Sequence, residues 1–156
     1  NFAAVGSLQT RYAPVFEYMF VFSDGKPAAF NPIKDRVATS AGKAKSGTIR
    51  NTDGSMKRMS SEGWVQPEFG QRFNVWEMPT ESQGQDHPAP FPFALARDHI
   101  ATWSNPGDLV LDPFSGSGTT AKAAEEVGRQ FIGLEVNPDY CAIAEQRIAQ
   151  EVLAFA

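Results

Sequence analysis

Cysteine is nearly absent. Cys141 is the only one, so no disulfide forms within the chain and a reducing cytoplasm is the expected setting. No apolar run approaches the ~20 residues that a membrane helix needs, and no signal-peptide pattern opens the chain. No Met precedes Asn1, and the sequence reads as an excerpt of something longer. It has no internal repeat. Between Val37 and Gly63 there is no Phe, Tyr, Trp or Leu and no helical or strand period, which leaves that stretch without a core of its own. What is present is a chain of 156 residues, the length of one domain, with ordinary apolar and charged fractions of 42% and 21%.

The charges are unevenly spread. Residues 1–75 hold ten Lys and Arg against six Asp and Glu, and residues 76–156 hold four against twelve. A basic part and an acidic part in one small chain suggest different partners for each. The basic excess gathers in Lys34, Arg36, Lys43, Lys45, Arg50, Lys57 and Arg58, opposed in that stretch by Asp35 and Asp53. A coreless basic stretch of this length is expected to be irregular loop, either functional or disordered.

Three regions have readable elements. Phe16 to Phe22, aromatic and β-branched, predicts a largely buried strand stopped by the turn "SDGKP". "HPAPFP", His87 to Pro92, is a stiff extended entry to a helix over Ala94 to Ser104, followed by the turn "NPGD". "LVLDP" predicts a short buried strand, Thr119 to Arg129 a helix with Gly128 near its C-cap, and Phe131 to Val136 a second buried strand. Asn137 caps a last helix with Pro138 in its first position, and Cys141, Ala144, Ile148 and Val152 share one face of it. Asp108 to Ala154 is thus a parallel βαβ unit plus a helix.

The turn "LDPFSGSGTT", Leu111 to Thr120, carries the chemistry. A nucleoside triphosphate loop would place a lysine after the last glycine, and Thr119 stands there instead. A dinucleotide site fits the spacing Gly116-x-Gly118-x-x-Ala121, with Glu135 ending the next strand for a ribose. Asp112 argues against it, since a carboxylate at the strand end repels a pyrophosphate on the helix N-terminus. A ligand with an ammonium, a carboxylate and an adenosine but no phosphate suits Asp112. S-adenosylmethionine (SAM) is such a ligand. Asp112 would face its ammonium, and Gly116 and Gly118 would let the backbone approach. The N–H groups of Ser117 to Thr119 would take its carboxylate. Glu135 would accept the ribose hydroxyls and Val136 would pack on the adenine. A plain tight turn, with Asp112 capping the helix and Glu135 merely solvated, fits this spacing less easily.

"DPFSGSGTT" resembles the cofactor motif of the SAM-dependent DNA methyltransferases that modify exocyclic amino groups of adenine or cytosine. "HPAPFP" with the following helix and "WSNPGDLVLDPFSGSGTT" resembles their second cofactor motif, and "FEYMFVFSDGKP" resembles the strand and turn before their target-recognition region. The likeness is strong from His87 to Ile148 and weak from Val37 to Gly70. It implies an α/β, Rossmann-like doubly wound fold, incomplete here, with an irregular basic target-recognition insertion. Residues 1–30 would form a strand and turn of the sheet, 31–75 the DNA-contact segment and 76–156 the SAM-binding βαβ part. It implies further cofactor contacts at His87, Phe91 and Phe114, with Phe91 covering the ligand and His87 in a positional role. It makes the seven lysines and arginines from Lys34 to Arg58 contacts to the phosphates of duplex DNA.

Recognition-like material before cofactor motifs matches the subgroup often labelled β, in which the catalytic motif comes first. That motif is [DNS]-P-P-[YFW], and no two prolines adjoin anywhere in this chain. The resemblance therefore implies a C-terminal part that holds a cofactor site and a recognition segment but no catalytic or metal-binding residue. A non-catalytic subunit that binds DNA and SAM, and a fragment of an NAD-type oxidoreductase, are the alternative readings. Cys141, on the apolar face of a helix, is expected to be buried and structural. That fits amino-group rather than carbon-5 methylation, which needs an exposed thiolate.

Overall fold

The computed structural model describes residues 16–44, 47–58, 65–79 and 91–152. From residue 91 onward the chain is α/β. Helix α1, Phe93–Trp103, starts where Pro92 fixes φ at −58° and accepts the Leu95 N–H at 2.9 Å. Strands β5, Leu109–Asp112, and β6, Gln130–Gly133, pair in parallel, with Leu109 opposite Gln130 and Asp112 opposite Gly133. Helix α2, Thr119–Glu126, crosses between them. It ends as the glycine predicts: Gly128 has φ +74°, its N–H reaches Glu125 O at 2.9 Å, and Arg129 N–H reaches Ala124 O at 2.8 Å. Helix α3, Pro138–Val152, is capped by Asn137, whose Oδ1 accepts the Asp139 N–H at 2.9 Å.

The core lies between α1 and α2. Ala121, Ala123 and Ala124 of α2 are fully buried, and Ile100, Phe93, Ala96, Val110 and Val127 pack around the last two. Small side chains on α2 let α1 approach closely. Among the described residues, no helix is long and apolar enough to cross a membrane.

β5 lies where expected, and β6 ends at Gly133, three residues short of the expected Val136; the burial of both differs from the expectation. Leu109 and Leu111 are 57% and 61% exposed, and Phe131, Ile132 and Leu134 are also open. Pleating sends alternate side chains to opposite faces. Val110 meets the helices, while Leu109 and Leu111 face a side that no described element covers. Phe16 to Phe22 is a larger correction: it forms no strand and is exposed throughout. Phe16, Tyr18, Phe20 and Phe22 instead contact one another in sequence, at ring distances of 5.1, 6.1 and 6.4 Å. A strand needs a ladder partner, and the described residues offer it none.

The basic segment is the opposite correction. Among its described residues, short antiparallel pairs form a ribbon within otherwise irregular chain. Strand β1, Arg36–Val37, pairs with β4, Phe69–Gly70. The pairing extends inward through Arg72 N–H to Ile33 O and outward through Ala38 N–H to Glu68 O, both 2.8 Å. It reaches Gln66 N–H to Lys43 O at 2.9 Å and a bridge between Ala44 and Val65. Beyond it stands a hairpin of β2, Thr48–Arg50, and β3, Met56–Arg58.

Both ends of the ribbon are tied to α1. At its entry, Asn31 N–H bonds Thr102 O at 2.8 Å, Asn31 Nδ2 bonds Ser104 O at 2.8 Å, and Phe30 packs on Trp103. These bonds satisfy carbonyls that the helix end leaves open. At its exit, Arg72 joins Asp35 at 2.5 Å and the buried Asp98 of α1 at 2.7 Å, and lies 4.9 Å from the Trp76 ring centre. Trp76 in turn stacks on His99. The paired carboxylates hold the Arg72 guanidinium above its ordinary range, Asp35 foremost, and Arg72 holds Asp35 below the usual carboxylate range.

Candidate functional site

β5 and β6 deliver two carboxylates to the same end of the sheet. Asp112 closes β5, and its Oδ1 accepts the Phe114 N–H at 2.9 Å, which turns the chain at once. Ser115 N–H bonds Leu134 O at 2.9 Å, so the glycine turn stays fastened to the end of β6. There Glu135 reaches across. Its Oε2 accepts the Gly116 N–H and its Oε1 accepts the Asn137 N–H, both at 2.8 Å. One side chain thus joins the glycine turn to the start of α3.

Two glycines make this fit possible. A Cβ on Gly118, which has φ +84°, would stand 2.8 Å from Ala144 Cβ and 3.1 Å from Ala144 Cα in α3. A Cβ on Gly133 would stand 2.6 Å from Ser115 Oγ. Arg147, one turn beyond Ala144, donates from Nη1 to both Ser117 O and Ser117 Oγ, at 3.0 and 2.9 Å. α3 therefore clamps the glycine turn from behind. Beside the turn lies an open hollow of about 740 Å³, within the ordinary range for ligand sites. Phe114, Gly116, Leu134, Glu135 and Val136 form part of its wall, with Cys141 and Ile148 of α3 opposite. Phe114 and Val136 are almost fully exposed, two apolar surfaces on the same wall as the acceptor carboxylate of Glu135. Such a site suits a flat ring with hydroxyl and cationic groups attached.

Residues 3–146 match the family described as DNA methylase. The chain belongs to the DNA methylase family. Among its relatives is the orphan methyltransferase M.BamHII of Bacillus amyloliquefaciens, 43% identical over 93% of this chain and 58% of the relative. The DNA adenine methyltransferase YhdJ of Escherichia coli is 43% identical over 48% of this chain and 27% of its own length. A solved PvuII DNA methyltransferase, cytosine-N4-specific, is 35% identical over 49% of this chain and 32% of that one, with a TM-score of 0.46. The chain thus spans little more than half the length of the first of these relatives and less of the others.

Within this chain the sequence-derived site residues fall into three groups. Asp112, Phe114, Gly116, Ser117, Gly118, Glu135 and Val136 gather at or beside the glycine turn, with Thr119 opening α2; of these, Phe114, Gly116, Glu135 and Val136 line the hollow, whereas Asp112, Ser117, Gly118 and Thr119 do not. Phe91, ahead of α1, is exposed and does not line the hollow, and His87 lies outside the described residues. Lys34, Arg36 and Lys43 lie along the ribbon, Arg50, Lys57 and Arg58 in its hairpin, and Lys45 lies outside the described residues.

Several roles differ in detail from the sequence reading. Gly118 also admits α3, and its own N–H is bonded to Ser115 O at 3.0 Å. Glu135 organises the turn as well as facing the hollow. Cys141 is half-buried on the hollow's wall, with Sγ 3.8 Å from Glu135 O, rather than sunk in a core. Arg147 and Arg72 were not anticipated. Arg147 sits three residues after Ala144, on the same side of α3, which was the available signal. For Arg72, whose partner Asp98 lies 26 residues on, the sequence offers none.

Proposed function

We propose that this chain is the cofactor-binding and target-recognition part of a methyltransferase that moves a methyl group from SAM to an exocyclic amino group of adenine or cytosine in duplex DNA. One observation carries the cofactor assignment. Asp112 ends β5 and Glu135 stands two residues past the end of the adjacent parallel β6, flanking a glycine turn that has no lysine. Two carboxylates there oppose a phosphate ligand and favour one with an ammonium and free hydroxyls.

Asp112 takes the ammonium, Glu135 the ribose hydroxyls, and Phe114 and Val136 flank the adenine. SAM supplies an electrophilic methyl group on sulfur. The residues of this chain bind and orient it and exclude water, while the ribbon positions the duplex. The amino-group-binding [DNS]-P-P-[YFW] motif, absent from these 156 residues, belongs to the remainder of the methyltransferase, ahead of them in chain order. With duplex DNA as substrate, the protein, bacterial or phage-encoded, works in the cytoplasm.

The test is calorimetric titration of the full-length protein with S-adenosylhomocysteine, with NAD as control. Binding of the first and not the second is expected. Asp112→Asn keeps an acceptor for the Phe114 N–H but removes the charge. It should weaken binding about 10- to 100-fold, the scale of one charged hydrogen bond, without lowering Tm. Unchanged affinity in the folded variant, or binding of NAD, would refute the assignment.

A further inference from the structure

The hairpin at the end of the ribbon has two chemically different faces. Its register pairs Thr48 with Arg58, Ile49 with Lys57 and Arg50 with Met56. Opposed residues in an antiparallel pair share a face, and neighbours along a strand alternate. One face therefore carries Thr48, Arg50, Met56 and Arg58, and the other Ile49 and Lys57. All six side chains are exposed.

The loop between the strands is fixed. Asn51 N–H bonds Ser55 O at 2.8 Å, Gly54 takes φ +85°, and Asn51 Nδ2 bonds Ser55 Oγ at 2.9 Å. Asp53, the one acidic residue in the hairpin, turns into this loop, where its Oδ1 accepts the N–H and hydroxyl of Ser55 at 2.8 and 2.7 Å.

We propose that this hairpin reads base edges in the DNA major groove with its Arg50/Arg58 face, while Lys57 on its back reaches a flanking phosphate. The inference rests on the DNA methyltransferase reading and assigns its specificity-determining residues. A two-stranded ribbon fits the major groove, about 12 Å wide, and arginine there is the commonest reader of guanine, through O6 and N7. Arg50 and Arg58 are diagonal neighbours across the pair, about 7–8 Å apart at the backbone. That is roughly two steps of the ~3.4 Å base-pair rise. Thr48, on the same face, offers a methyl group to thymine. The β1–β4 ribbon, which precedes and follows the hairpin in the chain, is fastened to α1 at Asn31 and Arg72, and α1 packs on α2, which opens at the glycine turn.

The experiment compares Arg50→Ala, Arg58→Ala and Lys57→Ala in the full-length protein, by duplex binding across salt concentrations and by methylation of a randomised duplex library. Each arginine variant should lose about 5- to 150-fold of discrimination at one G·C position, the two positions about two base pairs apart, with the salt slope unchanged. Lys57→Ala should weaken all duplexes alike and shrink the log–log salt slope by about 0.9. Uniform weakening with a smaller slope for the arginine variants, or unaltered discrimination, overturns the face assignment. If the wild-type protein binds no duplex DNA yet still binds S-adenosylhomocysteine, the DNA reading fails and the cofactor reading stands.

Discussion

Gly118→Ala is the substitution for which the structure fixes the most. Two separable penalties arise. A left-handed backbone costs an alanine about 1–2 kcal/mol. The new Cβ also meets Ala144 Cβ at 2.8 Å and Ala144 Cα at 3.1 Å, well inside the ~3.5–4.0 Å of comfortable carbon contact. The second atom is backbone, which no rotamer change can move, so overpacking adds about 1–3 kcal/mol. The total of about 2–5 kcal/mol corresponds to a Tm loss of about 4–20 °C for a protein of this size class. Gly128→Ala is the internal control. Its φ is also positive, +74°, but nothing lies within 4 Å of the added carbon, so only the first penalty applies. Thermal unfolding of both variants with and without S-adenosylhomocysteine separates the terms. Gly118→Ala should also lose ligand affinity, because α3 is pushed off the glycine turn, whereas Gly128→Ala at the far end of α2 should not. Adding Ala144→Gly should restore part of the Tm. Equal Tm losses for the two alanine variants would refute the clamp, leaving Gly118 a requirement of dihedral angle alone.

Two further outcomes follow from the anchor of the ribbon. Arg72→Ala and Asp98→Asn should couple by about 1–3 kcal/mol in a double-mutant cycle read by urea unfolding, less than for an isolated buried pair because Arg97 also bonds Asp98 at 2.8 Å; no coupling would mean the ribbon is held otherwise. Burial holds His99 below the ordinary imidazole range, against the pull of Asp98. The folded state then binds fewer protons than the unfolded chain, so this stability is complete above about pH 6.5 and is lost as pH falls below it toward the folded value. His99→Phe, which keeps a ring against Trp76, should flatten the fall in Tm between pH 7.5 and 5, and unchanged slopes would refute it.

Local chemistry in the sequence located most of the cofactor half. Pro92, Asn137-Pro138 and Gly128 mark helix ends by fixed dihedrals and caps, which depend on near neighbours only, and α1, α2 and α3 lie where these residues put them. Strand burial was not legible in the same way. Leu111 and Phe16 are as apolar as any core residue, but burial belongs to the layer packed on a strand, not to the strand. The ribbon escaped because its hairpin is exposed on both faces and, of the β1–β4 part, only Ala38 is buried, so no alternation of apolar and polar residues announces it. Its only local sign was Asn51-Thr52-Asp53-Gly54, a turn sequence between two short runs. At the site, Asp112, Gly116 and Glu135 stood out by spacing. The clamp by Arg147 and the Gly118–Ala144 contact join parts of the chain that sequence order keeps apart.

The hairpin's register has a consequence for how such proteins diversify. In a strand with a buried face, slipping by one residue drags the core into water, and selection forbids it. Here both faces are exposed, and only the loop from Asn51 to Ser55 sets which residues share a side. A single inserted or deleted residue in one strand would send that strand's side chains to the opposite face without disturbing α1, α2 or the glycine turn. New side chains can therefore be presented at the hairpin at almost no risk to the scaffold that carries it.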